Sequence, residues 1–137
     1  MQIEIFTICD AAQVYAGKAV VIGAFNQVVA KGLPVMMPNL TLAFRVSFDR
    51  EESGDKTFYF FFKKPDGTQL IPEFRCEAKQ LIPPEKQGPI TTLDLNIALG
   101  SILLDQYGLY TVTMKYDDKD YNLKFLVRSE AEKPQMS

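Results

Sequence analysis

The chain has 137 residues, 47% hydrophobic and 23% charged, with a net charge of -2 and a pI near 5.2. That is the composition of one globular domain with a sizeable core, and it excludes a disordered chain. Lys and Arg are scattered with no basic stripe, and no apolar run is long enough for a spanning helix, which argues against nucleic-acid and membrane partners.

Histidine is absent. Its absence removes the commonest metal ligand and the commonest general base near neutral pH, and it forbids a Ser-His or Cys-His nucleophile pair. Two cysteines alone cannot build a four-ligand zinc site. Cys9 and Cys76 lie in strand-like apolar segments and are expected as free, buried thiols. The opening MQIEIFTICD has neither a basic region nor a small-residue cleavage site, so a cytoplasmic protein is expected.

Gln2 to Cys9 makes a first strand with apolar residues on both faces, which calls for a cover on each side or a bulge. A short connection from Asp10 to Gly17 follows. Lys18 to Ala30 is apolar on both faces and is expected as a central strand, with Gly23 marking a bulge or a close backbone approach. Gly32 to Asn39, with Pro34 and Pro38, is expected as a crossing loop.

From Leu40 the alternation is clean: Leu40, Leu42, Phe44, Val46 and Phe48 face one way, and Phe58, Phe60 and Phe62 do the same in the next run. Lys64 to Thr68 is a turn in which proline presets a corner, aspartate bonds local backbone and Gly67 takes the left-handed position. The return strand should pair Phe62 with Leu70, Phe60 with Pro72 and Phe58 with Phe74, and Pro72 makes it an edge or a bulged strand. Leu81 to Pro89 is a loop. Thr91 to Leu99 alternates again, and Gly100 to Tyr107 has room for one helical turn.

Gly108 to Arg128 is a hairpin. Tyr110, Val112, Met114 and Tyr116 share one face, as do Tyr121, Leu123, Phe125 and Val127, around a four-residue break at Asp117 to Asp120. Setting Tyr116 opposite Tyr121 brings every inward residue against another. The expected fold is all-β: a two-sheet antiparallel β-sandwich, immunoglobulin-like in the broad sense, over residues 1–128, with a polar tail over 129–137. An antiparallel barrel is the alternative. Phe44, Phe60, Leu95, Val112 and Phe125 are the expected core.

Three fragments together resemble an uncharacterised family of small bacterial proteins, a domain of unknown function. They are Cys9-Asp10-Ala11-Ala12 running into Gly17-Lys18; Ile22-Gly23-Ala24-Phe25-Asn26 followed by Leu33-Pro34; and Gly108-Leu109-Tyr110 leading to Leu126-Val127. The resemblance implies a β-sandwich and transfers no catalytic residue.

For chemistry, Glu4, Asp10, Glu73, Glu77 and Asp94 are the only candidate acids and bases, and their spacing selects no pair. Asp117, Asp118 and Asp120, with Asp49, Asp55, Asp66 and Asp105, would hold calcium only if their loops converged; the plainer reading is solvated turn residues. Tyr110 has the position of a corner tyrosine bonded to upstream backbone, with core packing as the other reading. Asp10 is read as a local cap. No catalytic, cofactor or metal residue is therefore assigned, and a non-enzymatic interaction or accessory module is expected, with a small-ligand or carbohydrate-binding sandwich as the alternative.

The candidate interaction surface is Arg45, Tyr59, Phe61 and Lys63. It assumes a hairpin in which Phe48 meets Phe58, so that Arg45 stacks on Phe61 on the outward face. Its partner would be another protein or a second copy of the chain.

Overall fold

The computed structural model describes residues 1–49, 52, 54–78 and 89–131. The loop expected over 81–89, apart from Pro89, and most of the polar tail lie outside them. The protein is all-β; the described residues form ten strands in three sheets, none of them closed. The strands are β1 (Gln2–Cys9), β2 (Ala11–Tyr15), β3 (Lys18–Ile22), β4 (Gln27–Ala30), β5 (Val35–Asp49), β6 (Lys56–Lys63), β7 (Gln69–Ala78), β8 (Ile90–Leu104), β9 (Gly108–Tyr116) and β10 (Lys119–Ser129). One sheet has the order β1-β5-β8, a second β4-β10-β9-β6-β7, and β2 pairs with β3 alone.

The inward faces of the two larger sheets share one apolar core. Phe44 of β5 meets Phe58 and Phe60 of β6 edge-on, at ring-centre distances of 5.2 and 5.6 Å. Val112 and Met114 of β9 and Phe125 and Val127 of β10 complete the same cluster. Of the five expected core residues, Phe44, Phe60, Val112 and Phe125 are buried; Leu95 is only partly buried, because β8 is an edge strand.

Several local expectations change. The Asp10 to Gly17 connection contains β2. The Lys18 to Ala30 segment is two strands in different sheets, broken at Gly23, and β4 is a short edge strand running parallel to β10. Its two apolar faces reflect two environments, not one central strand. β5 already begins at Val35, with register shifts between Met37 and Thr41. The helical turn expected after Leu99 is replaced by the continuation of β8, which passes Gly100 at φ +76 opposite Leu40.

Both hairpins shift their register; the last one keeps its faces, while in the β6–β7 hairpin Ile71 turns to the core and Pro72, expected inward, is exposed. In the last one Tyr116 pairs with Lys119, Met114 with Tyr121 and Tyr110 with Phe125. Asp117 and Asp118 both have positive φ, 51° and 60°, as a tight two-residue turn requires, and that turn matches strand twist better than a four-residue break. A slip of two residues leaves every side chain on its expected face. In the β6–β7 hairpin Phe60 pairs with Phe74 and Phe58 with Cys76, after register shifts on either side of the Phe62–Ile71 pair that bulge β7 beside Pro72; β7 is also the last strand of its sheet, and proline suits both positions.

Candidate functional site

The expected surface of Arg45, Tyr59, Phe61 and Lys63 is divided between two sheets. β5 does not pair with β6; it lies between β1 and β8, while β6 lies between β7 and β9. Their phenylalanines do meet, but across the core and not along a ladder. Arg45 therefore points away from Phe61 with the core between them, and the cation–π pair does not form. Period-two alternation specifies which residues face inward, and face-to-face packing satisfies it as well as a hairpin does.

Arg45 instead organises the outer face of the three-stranded sheet. Its Nε donates to Glu4 Oε1 at 3.2 Å, Nη1 to Asp94 Oδ1 at 3.2 Å, and Nη2 to the Gly17 carbonyl at 3.4 Å. Two of the five candidate acids are thus held by one guanidinium, which also ties down the β2–β3 turn. Ala43, Thr41 and Ser47, beside Arg45 on this face, are buried.

Among the described residues, no strand covers the outer face of the five-stranded sheet. Tyr59 is 42% exposed and stands between Arg75 of β7 and Lys115 of β9. Phe61 is half-buried and pairs with Thr113, whose hydroxyl bonds Asn122 on β10 at 2.7 Å. Lys63 pairs with Thr111, and Thr111 with Lys124. Lys63, Lys115 and Lys124 are exposed and thus frame the two aromatic rings. Lys115 and Lys124 were not foreseen, although their outward facing follows from the last hairpin's alternation; the β6–β9 pairing that brings them to Tyr59 and Phe61 has no local signal.

A second feature is a cleft of about 390 Å³ on the other sheet, lined by Asp10, Ala11, Ala12, Asn39, Leu40, Thr41, Asn96, Ala98 and Gly100. Asp10 sits at the β1–β2 corner. Its N–H donates to the Ile22 carbonyl at 3.0 Å, and its carbonyl accepts from the Thr41 hydroxyl at 3.4 Å. Its carboxyl lies over Gly23, so close that a Cβ on Gly23 would come within 2.3 Å of Oδ2. Two of the fragments that carried the family resemblance are thereby packed on one another. The expected close backbone approach at Gly23 is this contact.

The remaining candidates stand apart. Glu73 and Glu77 lie on β7, where Glu77 is 3.5 Å from Arg75. Among the described residues no three His, Cys, Asp or Glu side chains are grouped to hold a metal ion. Cys9 and Cys76 are free, Cys9 buried and Cys76 half-buried, and desolvation pushes both thiols above their ordinary range.

Tyr110 makes the corner contact: its hydroxyl donates to the Gln106 carbonyl at 3.0 Å and accepts from the Gln106 N–H at 3.1 Å. Gln106 Nε2 in turn donates to Asp66 Oδ2 at 2.8 Å. Asp66 Oδ1 accepts from the Thr68 hydroxyl at 2.6 Å and from the Thr68 N–H at 2.9 Å. The Thr68 hydroxyl and backbone bonds, then the Gln106 bond, lower the Asp66 carboxyl from 3.8 to about 2. A carboxyl depressed in the folded state stabilises it above the unfolded pKa, and that contribution is lost as pH falls through the folded one. Stability is thus expected to decline between about pH 4 and pH 2 partly through this turn, and Asp66→Asn should flatten that stretch of an acid-unfolding curve. An unchanged acid limb would show that these bonds do not persist in solution.

Among the described residues no helix is long and apolar enough to cross a membrane. No curated protein matches the chain. A family of unknown function (DUF6941) matches residues 4–127, a span that takes in the Asp10–Gly23 contact, the Arg45 cluster and both outer sheet faces. With nearly the whole of its strand framework inside that match, the chain belongs to this family of unknown function.

Proposed function

We propose that this chain is a non-enzymatic, two-layer β-sandwich, immunoglobulin-like in the broad sense, that binds another protein through the outer face of its five-stranded sheet. The observation that carries the reading is the exposed Tyr59 beside the half-buried Phe61, framed by Lys63, Lys115 and Lys124. Aromatic side chains are enriched at the centres of protein interfaces. Three lysines beside them select a segment that is both acidic and apolar, although the chain as a whole is negative. The absence of histidine and the neutralisation of Glu4 and Asp94 by Arg45 support a role without catalysis. Two free cysteines support a cytoplasmic setting.

The test compares the wild-type chain with two double variants, Tyr59→Ser/Phe61→Ser and Lys63→Glu/Lys124→Glu, as baits in a lysate of the source cells. The wild type is expected to retain an acidic protein that elutes as salt is raised, and each double variant to lose it while keeping the wild-type circular dichroism. Retention of the same proteins by all three baits would overturn the proposal.

A small polar ligand in the cleft is the second reading. Asp10, Asn39 and Asn96 provide one carboxylate and two carboxamides there. Its lining includes no aromatic ring on which a sugar would stack, which is why the partner reading is preferred.

A further inference from the structure

The four edges of the two larger sheets are not equally protected against pairing with another strand. β4 is only four residues long. β7 carries Pro72, Glu73, Arg75 and Glu77 and a register shift. β1 is bulged at Glu4, between Ile3 and Ile5. Short length, proline, charge and bulges are the devices that keep edges from extending a sheet. β8 has almost none of them. It is fifteen residues long, contains no Lys, Arg or Pro, and its one charge, Asp94, is bound by Arg45 on the neighbouring strand. From Ile90 to Ala98 its register with β5 is unbroken, and among the described residues no strand pairs with its far side. Leu93, Leu95 and Ile97 pack on the core from this edge yet remain only partly buried.

We infer that β8 is a self-association edge, at which two copies of the chain pair antiparallel about a two-fold axis through Leu95, joining the two three-stranded sheets into one of six strands. The register follows from the side chains. An axis perpendicular to the sheet keeps both cores on one side, so apolar residues must oppose apolar residues. A two-fold at Asp94 sets like charges against each other. A two-fold at Leu95 instead sets Leu95 against its own copy and Leu93 against Ile97. It also places Asp94 opposite Asn96, whose carboxamide donates to the lone pairs Arg45 leaves free. On the solvent side Thr92 then faces Ala98, and both are exposed in the single chain.

The Thr92–Ala98 pair provides the test, because changes there leave the core alone. Analytical ultracentrifugation of the wild-type chain is expected to give twice the 15.5 kDa chain mass. Thr92→Lys/Ala98→Lys sets lysine against lysine twice across the axis and should weaken the dimer by about tenfold or more. Thr92→Lys/Ala98→Glu sets opposite charges there and should restore it. Hydrogen exchange on the unmodified chain gives a reading free of any variant: amides within 92–98 should gain protection as concentration rises. A wild-type chain that stays monomeric at about 100 μM, well above a micromolar dissociation constant, would overturn the inference. So would identical behaviour of the two double variants.

Discussion

Phe60→Ala is expected to lower the unfolding free energy by about 3–5 kcal/mol, the range for emptying a large aromatic site in a packed core. Phe60 is 0% exposed and lies where the two sheets meet. Its ring is edge-on to Phe44 across the core, stacked on Phe74 of β7 at 5.3 Å, and its strand neighbour on the other side is Met114. These neighbours belong to three strands, β5, β7 and β9, each held by its own ladder, so the site has little freedom to collapse into the space left behind. The control is Tyr59→Ala on the same strand, whose side chain is on the open face; it should cost far less. Urea unfolding of both variants reads the difference. A loss under about 1 kcal/mol for Phe60→Ala, or a larger loss for Tyr59→Ala, would mean that β6 faces the other way.

Gly23→Ala is the second large effect. The backbone there has φ +69, and a residue with a Cβ in the left-handed region costs roughly 1–2 kcal/mol on its own. The new methyl also meets Asp10, with Oδ2 at 2.3 Å, Cγ at 2.8 Å and Cβ at 3.2 Å, so the clash involves the root of the side chain as well as its tip. The two terms separate in a double-mutant cycle. In an Asp10→Ala background the contact with the carboxyl is gone and the left-handed strain remains, so Gly23→Ala should cost measurably less there than in the wild type. Strict additivity of the two changes would show that Asp10 does not rest on Gly23 in solution. The cost should also register in how firmly the β2–β3 hairpin is attached, since the Asp10 to Ile22 hydrogen bond lies beside this contact.

The outer face of β6 and the edge of β8, both left uncovered by the described residues, make different demands on a partner. The first requires side-chain complementarity to two aromatic rings and three lysines, whereas the second requires only an extended backbone and apolar side chains in register. The variants that test one leave the other unchanged, so a chain that dimerises and also binds a separate protein would satisfy both.

Period-two alternation was enough to assign the all-β class, the strands β1, β6 and β9, and the inward side of every residue in the last hairpin. The turn at Lys64 to Thr68 was equally local. Lys64 N–H bonds the Thr68 carbonyl at 2.8 Å, Asp66 takes the Thr68 N–H, and Gly67 has φ +86, each from chemistry within five residues. Tyr110 was legible as a corner because its hydroxyl reaches only four residues back.

Adjacency was not legible. Phe44 and Phe60 carry the same pattern whether their strands share a ladder or face each other across a core, and only the tertiary structure decided for the core. That decision moved Arg45 from the aromatic patch to Glu4 and Asp94, residues 41 and 49 positions away. Lys18 to Ala30 looked like one strand because both halves are apolar. Gly23 divides it through a contact with Asp10, thirteen residues earlier, that alternation does not encode. Leu95 looked like core because it faces inward, but burial also depends on a neighbour to each side, and among the described residues β8 has one strand beside it. Which way a side chain faces is set by the backbone's own twofold pleat, within a few residues. What it meets there depends on contacts between strands far apart in the sequence, and those exist only once the sheets are assembled.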